Sequence, residues 1–372
     1  MDKIIGICNL HDDPKLGVLT DSRPCGAVTF LGRYGLIDFT LSNFSNSGID
    51  QVYVLVKNGV TALRNHIGNG SIWTNNTKLG HLSLLFSEEY LATPKFNTDL
   101  LNMKNNLHVD ELDFDYAVIA PSFMLASIDY RPIVEAHKES EADITIVYSV
   151  IEDTDEEFTN CDALKIGLNN KVSEVETNLG KGKKVNISLE SFIINKKALQ
   201  KILNDYSKVS ELYSLRQMIS YYVNKDRHLD IRAYKFDGYV VPMLTLDHYV
   251  YESFKLLSYH NRNKLFLPDW PIYTTTHNTP PALYDKTADV TNSFIANGAV
   301  IKGKVTNSII SRGVTIEKGA ELTNCIIFTS SKVGKDVKMQ FVVTDKNANI
   351  STIKELKGEP SRILYIKQGA KI

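Results

Sequence analysis

The chain has 372 residues, of which 43% are hydrophobic and 23% charged, and its net charge is −1. That length holds two domains with their own cores, and the near-neutral balance excludes a basic nucleic-acid face or a polybasic membrane contact. No apolar run approaches the roughly 20 residues of a membrane span, and the opening MDKIIGICNLHDD lacks the long apolar core and cleavage site of a signal peptide.

From residue 1 to 259, short β-branched runs alternate with amphipathic stretches. IIGI, QVYVLV (Gln51–Val56), YAVIA (Tyr116–Ala120) and DITIVYSV (Asp143–Val150) read as strands. Near-continuous apolar runs of this length suit a buried, mainly parallel sheet. Between them, LIDFTLSNFSNSG places Leu36, Ile37, Leu41 and Phe44 on one helical face, with Gly48 as its stop. RPIVEAHKESEA is a second helix, with Pro132 in its first turn. These elements predict a layered α/β domain. The loop after its first strand is anomalous. NLHDDPKLGVLT (Asn9–Thr20) has one glycine, and two acids stand where a nucleotide's phosphates would lie.

Residues 260–290 break the rhythm. Prolines at 268, 271, 280 and 281 exclude long helices, so the segment reads as an extended linker packed along both domains. Residues 291–372 are repetitive. Thr291-Asn-Ser, Thr306-Asn-Ser and Thr323-Asn-Cys recur, and small or apolar residues return every sixth position between them. This is the pattern of a left-handed parallel β-helix, whose flat faces and open end favour oligomers. The cysteines at 8, 25, 161 and 325 are scattered without CxxC spacing, which points to neither a disulfide framework nor a zinc site and suits a reducing cytoplasm.

The stretch GRYGLIDFTLSNFSNSGIDQVYVLV (Gly32–Val56) closely resembles the bacterial glucose-1-phosphate adenylyltransferase family, also called ADP-glucose pyrophosphorylase. The likeness extends to HIGNGSIW (His66–Trp73), Ser127–Tyr130, the GYxxxxxTLDxY frame (Gly238–Tyr249) and the hexapeptide tail. It implies a nucleotidyltransferase domain with a mixed, GT-A/Rossmann-like sheet, followed by the β-helix. It also implies attack of a sugar phosphate on the α-phosphate of ATP. That chemistry needs a phosphate cradle, carboxylate-held Mg²⁺ and a cation on the sugar phosphate.

Set against the family's motifs, the chain departs at each of these parts. The glycine-rich GGxGTRL is LHDDPKLG, which puts Asp12 and Asp13 toward the triphosphate. RAKPAV is RPCGAV, with Cys25 at the lysine position, and GTADA is FNTDL (Phe96–Leu100). The two metal carboxylates fall on Phe123 and Pro242, and the sugar-phosphate lysine on Thr177. Each such loss removes about 3 kcal/mol of charge stabilisation, without simple additivity.

The resemblance therefore implies no catalytic residues and no cofactor. It implies a non-catalytic, regulatory subunit of the GlgD type, in a tetramer with the catalytic subunit of glycogen synthesis. The alternative is a weak adenylyltransferase that holds Mg²⁺ through Asp12 or Asp13. A third reading, an acyltransferase on the β-helix, lacks the histidine it needs after His277. A fourth is a sensor whose dead site still binds a nucleotide or sugar phosphate.

Arg23, Arg33, Ser122 and Ser188 are the candidate ligand-binding residues. Arg23, Arg33 and Lys57 together offer an anion site for a sugar-phosphate or nucleotide effector, although scattered basic residues usually form a solvated face. Ser188 survives from the family's sugar-binding string, but its neighbouring glycine position is Glu190. Asp38 and Asn43 read as local structural groups. Trp73 suits packing or a cleft equally. His66 and His248 have no partner at metal-ligand spacing, and EDTDEEF (Glu152–Phe158) reads as a solvated loop.

Overall fold

The computed structural model describes residues 2–75, 80–86, 97–152, 157–180 and 184–372. Phe96 of the FNTDL string and residues 153–156 of EDTDEEF lie outside the described residues.

The strand Ile4–Asn9 lies inside the main sheet, parallel to both Gln51–Val56 and Tyr116–Pro121. Successive side chains alternate between two cores. Ile5, Ile7, Tyr53 and Leu55 join one apolar cluster, while Cys8, Val52 and Val54 join the other. Both faces are covered, which is why these strands read as continuous apolar runs. Gly6 permits a close approach between sheet and helix. A Cβ there would stand 2.9 Å from the ring of Phe44, on the helix Ile37–Asn46 packed over this strand.

The sheet has nine strands among the described residues. One path runs Val172–Thr177, Asp162–Ile166, Val185–Asn195, Tyr116–Pro121, Ile4–Asn9, Gln51–Val56 and His81–Phe86. Ile144–Ile151 and Ile231–Lys235 extend it from the other edge of Val185–Asn195. That strand, absent from the predicted set, runs antiparallel to all its neighbours, so the sheet is mixed. Its register against Ile144–Ile151 shifts between Ser188 and Ser191, and Glu190 in this bulge has φ +52°. A bulge of this kind re-aims a side chain.

The C-terminal part is a left-handed β-helix of three five-stranded parallel sheets. The Thr-Asn-Ser/Cys repeat marks one corner. Asn292, Asn307 and Asn324 take left-handed φ values of 44°, 47° and 52°, a conformation that asparagine tolerates. Their side chains form a ladder, with Asn292 Nδ2 donating to Asn307 Oδ1 at 2.8 Å and Asn307 to Asn324 Oδ1. The apolar positions of the hexads, such as Ile301, Val305, Ile310, Ile316 and Leu322, fill the interior. One corner varies in length. Only Lys302 and Gly303 separate the strands Val300–Ile301 and Lys304–Thr306 of adjacent faces, whereas residues 317–320 fill the same corner one coil later. A Cβ on Gly303 would stand 2.4 Å from the Ala320 carbonyl oxygen.

The coil docks directly on the first domain. Ile309, Ile326, Phe328 and Val343 join the cluster that holds Phe30 and Tyr249. After the helix Tyr259–Leu265, the chain runs as an extended strap. Trp270 Nε1 donates to Asn43 Oδ1 at 2.8 Å, Thr275 Oγ1 donates to the His66 carbonyl, and Arg312 Nη2 of the coil donates to the Thr275 carbonyl at 3.1 Å. The first strand pairing into the coil is Leu283–Tyr284. No described helix is long and apolar enough to cross a membrane.

Candidate functional site

The loop after the first strand turns one of its acids inward. Asp12 is exposed, but Asp13 Oδ2 accepts a hydrogen bond from Ser122 Oγ at 2.8 Å. The backbone N–H groups of Gly26 and Ser122 also favour this carboxylate. The expectation that both acids face an incoming triphosphate is therefore corrected for Asp13. Burial pushes its carboxyl up to about 7, against the lowering pull of these donors.

A folded pKa near 7 against an unfolded carboxylate value of about 4 has a definite sign. Between those values the folded chain keeps a proton that the unfolded chain has lost. Stability therefore falls as pH rises through this window and levels off above it. Asp13→Asn is expected to flatten part of that decline in melting temperature. Identical slopes for the variant and the parent would exclude Asp13 as a titrating group.

A second internal pair fills the floor. The bulge aims Glu190 at Arg216, whose Nη1 lies 3.0 Å from Glu190 Oε1. The other edge of the guanidinium forks onto Asp162, with Nε and Nη2 donating at 2.7 and 2.8 Å. Burial pushes Glu190 up to about 8 despite the arginine. Arg216 is held charged against its own burial by hydrogen bonding to Asp162 and the charge of Glu190. Below them Asp99 is fully buried. It accepts from Asn9 Nδ2 at 2.7 Å and from the N–H of Leu215 at 3.1 Å, the first residue of the helix Leu215–Tyr221. Burial, with the nearby charge of Asp12, raises Asp99 to about 7. Glu190 at a family glycine position was a sequence signal for this network, but nothing in the spacing pointed to Arg216 or Asp162.

The positions that match the family's metal carboxylates are apolar and packed. Phe123 is buried, and its carbonyl accepts from the N–H of Met243 at 2.8 Å. Pro242 is buried in the short strand Val241–Pro242, paired with Met124–Leu125. Mg²⁺ takes hard oxygen ligands, and a phenyl and a pyrrolidine ring offer none, so these residues do not fit the ion. Among the described residues, no cluster of three or more His, Cys, Asp or Glu is arranged to hold a metal. Cys25 is buried, and its thiol is pushed well up by burial. Thr177 lines an open cleft of about 1100 Å³ together with Asp12, Lys57 and Arg216.

The structure disperses the predicted anion site. Arg23 is buried in an ion pair with Asp345 of the coil, at 2.7 Å. Lys57 lines the open cleft, and Arg33 lines two cavities of about 520 and 280 Å³ between the domains. Ser122 is engaged by Asp13, and Ser188 Oγ accepts from the N–H of Glu190 at 3.1 Å. Asp38 accepts from the N–H of Gly35 at 2.9 Å and pairs with His66, while Asn43 bonds the backbone of Ala126 and Ile128. Trp73 is a packing residue, 1% exposed.

Arg33, Tyr34, His277 and Arg312 face both interdomain cavities, and Lys346 joins the smaller. Burial and the charge of Arg33 lower the pKa of Arg312, whose Nε is buried without a hydrogen-bond partner. Sequence reasoning found Arg33 but not Arg312 or Lys346, which come from coil corners distant in the chain.

Comparison with known proteins places these features in a family. Residues 14–159 match the family model described as nucleotidyl transferase, and residues 280–358 match the one described as GlmU-like, C-terminal hexapeptide. The chain is 31% identical over 306 residues to glucose-1-phosphate adenylyltransferase of Lachnospira eligens, covering 82% of this chain and 71% of that protein. It is 30% identical over 323 residues to the enzyme of that name from Clostridium perfringens, covering 86% and 81%. Against that of Acetivibrio thermocellus it is 30% identical over 329 residues, covering 87% and 76%. A nucleotidyltransferase sheet docked on a hexapeptide coil, matched over most of its length to these enzymes, belongs to the glucose-1-phosphate adenylyltransferase family.

Proposed function

We propose that this chain is a non-catalytic member of that family, which assembles in the cytoplasm with a catalytic glucose-1-phosphate adenylyltransferase subunit, in a tetramer, and regulates it. One observation carries the reading: the residues that replace the family's catalytic groups engage one another. Asp13 of the altered phosphate loop is bonded by Ser122 and favoured by the N–H of Gly26, which stands where RAKPAV has proline. Glu190, at a family glycine position, is paired with Arg216 at 3.0 Å. Phe123 and Pro242 close an apolar cluster where metal carboxylates would stand. Asp13 Oδ1 is buried without a hydrogen-bond partner, which suits a carboxyl that burial holds toward its protonated form. Here the replacements form a stable core, and no cofactor belongs to it.

The interdomain cavities suit the effector. Arg33, Arg312 and Lys346 give a phosphorylated small molecule a cationic seat between the two domains, where binding can bias how they dock. The competing reading, weak adenylyl transfer with Mg²⁺ on Asp12, draws on the exposure of that residue in the cleft.

The test is pyrophosphate release from ATP and glucose 1-phosphate with Mg²⁺. It is run for this chain alone, for a catalytic homologue alone and for the two mixed. The chain alone is expected to give no release above the blank, and the mixture to differ from the homologue in rate or effector response. Turnover by the purified chain, abolished in Asp12→Asn, would establish the competing reading instead.

A further inference from the structure

A cleft of about 1100 Å³ opens over Arg216, lined also by Asp12, Lys57, Tyr213, Gln217 and Tyr221. It lies at the upper end of small-ligand pockets. We infer that it binds an extended, uncharged, polyhydroxylated ligand, an oligosaccharide chain, in place of a nucleotide. The inference rests on the reading that the site is non-catalytic.

Charge argues first. Lys57, Arg216 and Lys225 line the cleft with Asp12 and Asp162, and Glu190 lies against Arg216 beneath. With Glu190 held toward its neutral form by burial, three cations meet two carboxylates, and one net positive charge is a weak field to gather a triphosphate. Asp13 already engages the donors at Ser122, and Asp12 stands exposed beside it.

The remaining chemistry suits hydroxyl groups. Each sugar hydroxyl both donates and accepts, and planar groups held in place match it with least ordering cost. Arg216 is such a group. It is clamped by Asp162 and Glu190 through three of the five N–H bonds of a guanidinium. Gln217 is another, since its Oε1 caps the N–H of Ser214 at 2.9 Å and the exposed residue lines the cleft. The half-buried Tyr213 and Tyr221 add aromatic faces for the C–H surfaces of sugar rings.

The experiment is titration calorimetry of the full chain with maltoheptaose, glucose 1-phosphate and MgATP, at about 50 and about 500 mM salt. Maltoheptaose is expected to bind most tightly, with an affinity that salt leaves unchanged. Tyr221→Ala and Gln217→Glu, the latter keeping the cap acceptor while losing the donor, are each expected to weaken it about tenfold. Unchanged circular dichroism would show that both variants are folded. No heat with maltoheptaose, binding only of the phosphorylated ligands, or full affinity in both folded variants overturns the inference. Pyrophosphate release in the same buffer would overturn the non-catalytic reading, and is scored separately.

Discussion

Arg23→Met is expected to destabilise the protein by about 3–5 kcal/mol, the cost of stranding one partner of a buried ion pair. Both side chains of the pair are 3% exposed. Arg23 Nη2 reaches the two carboxylate oxygens of Asp345 at 2.8 and 2.7 Å, and Tyr365 OH donates to Asp345 Oδ2 at 2.7 Å. Without the guanidinium, Asp345 keeps one hydroxyl donor and the N–H of Lys346 in a region of low dielectric. Asp345→Leu alone strands the arginine in the same way. The double variant Arg23→Met/Asp345→Leu should recover part of the loss, because removing both charges together costs less than removing one. Urea unfolding of the four proteins measures this directly. Additive single losses would mean that the two residues act independently.

Restoring the carboxylates should not restore the enzyme. Phe123→Asp removes a buried ring, a loss of about 3–5 kcal/mol by analogy with large-to-small core changes. It also places an acid among Met124, Val241 and Met243, all buried. That carboxyl would be driven toward its neutral form by desolvation, and a neutral acid is a poor Mg²⁺ ligand. Adding Pro242→Asp compounds the packing loss, while Thr177 and the Asp13 contacts remain as they are. The expected result is a much lower melting temperature and no pyrophosphate release with Mg²⁺. A folded double variant that turns over would show that the two positions alone had silenced the site.

The sequence made different layers of this molecule legible for different physical reasons. The strands Gln51–Val56 and Tyr116–Pro121 were readable because burial on both faces forces continuous apolar runs. The coil was readable because a corner needing left-handed backbone takes asparagine in three successive coils. Val185–Asn195 was missed, since its central NISLESF mixes polar and apolar residues around a bulge. At the site, the lost groups were visible position by position against the family motifs. Their replacements were not, because Arg216 and Asp345 meet Glu190 and Arg23 only through the fold. Arg23 illustrates the limit: its residue type suggested an anion site, and its anion proved to be a carboxylate 322 positions away in the chain.

The uneven corner of the coil bears on how such a protein can be engineered. Lys302 and Gly303 occupy a corner that takes four residues, 317–320, in the following coil and again at 334–337. The three sheets pair in register on both sides of the difference. Strand pairing is thus decoupled from corner length, and a corner is where a reporter peptide or a fused domain can be grafted without shifting any rung. The asparagine corner shows the same slack in the last coil, where residues 358–363 join Glu355–Lys357 to Leu364–Ile366 while both strands keep their register.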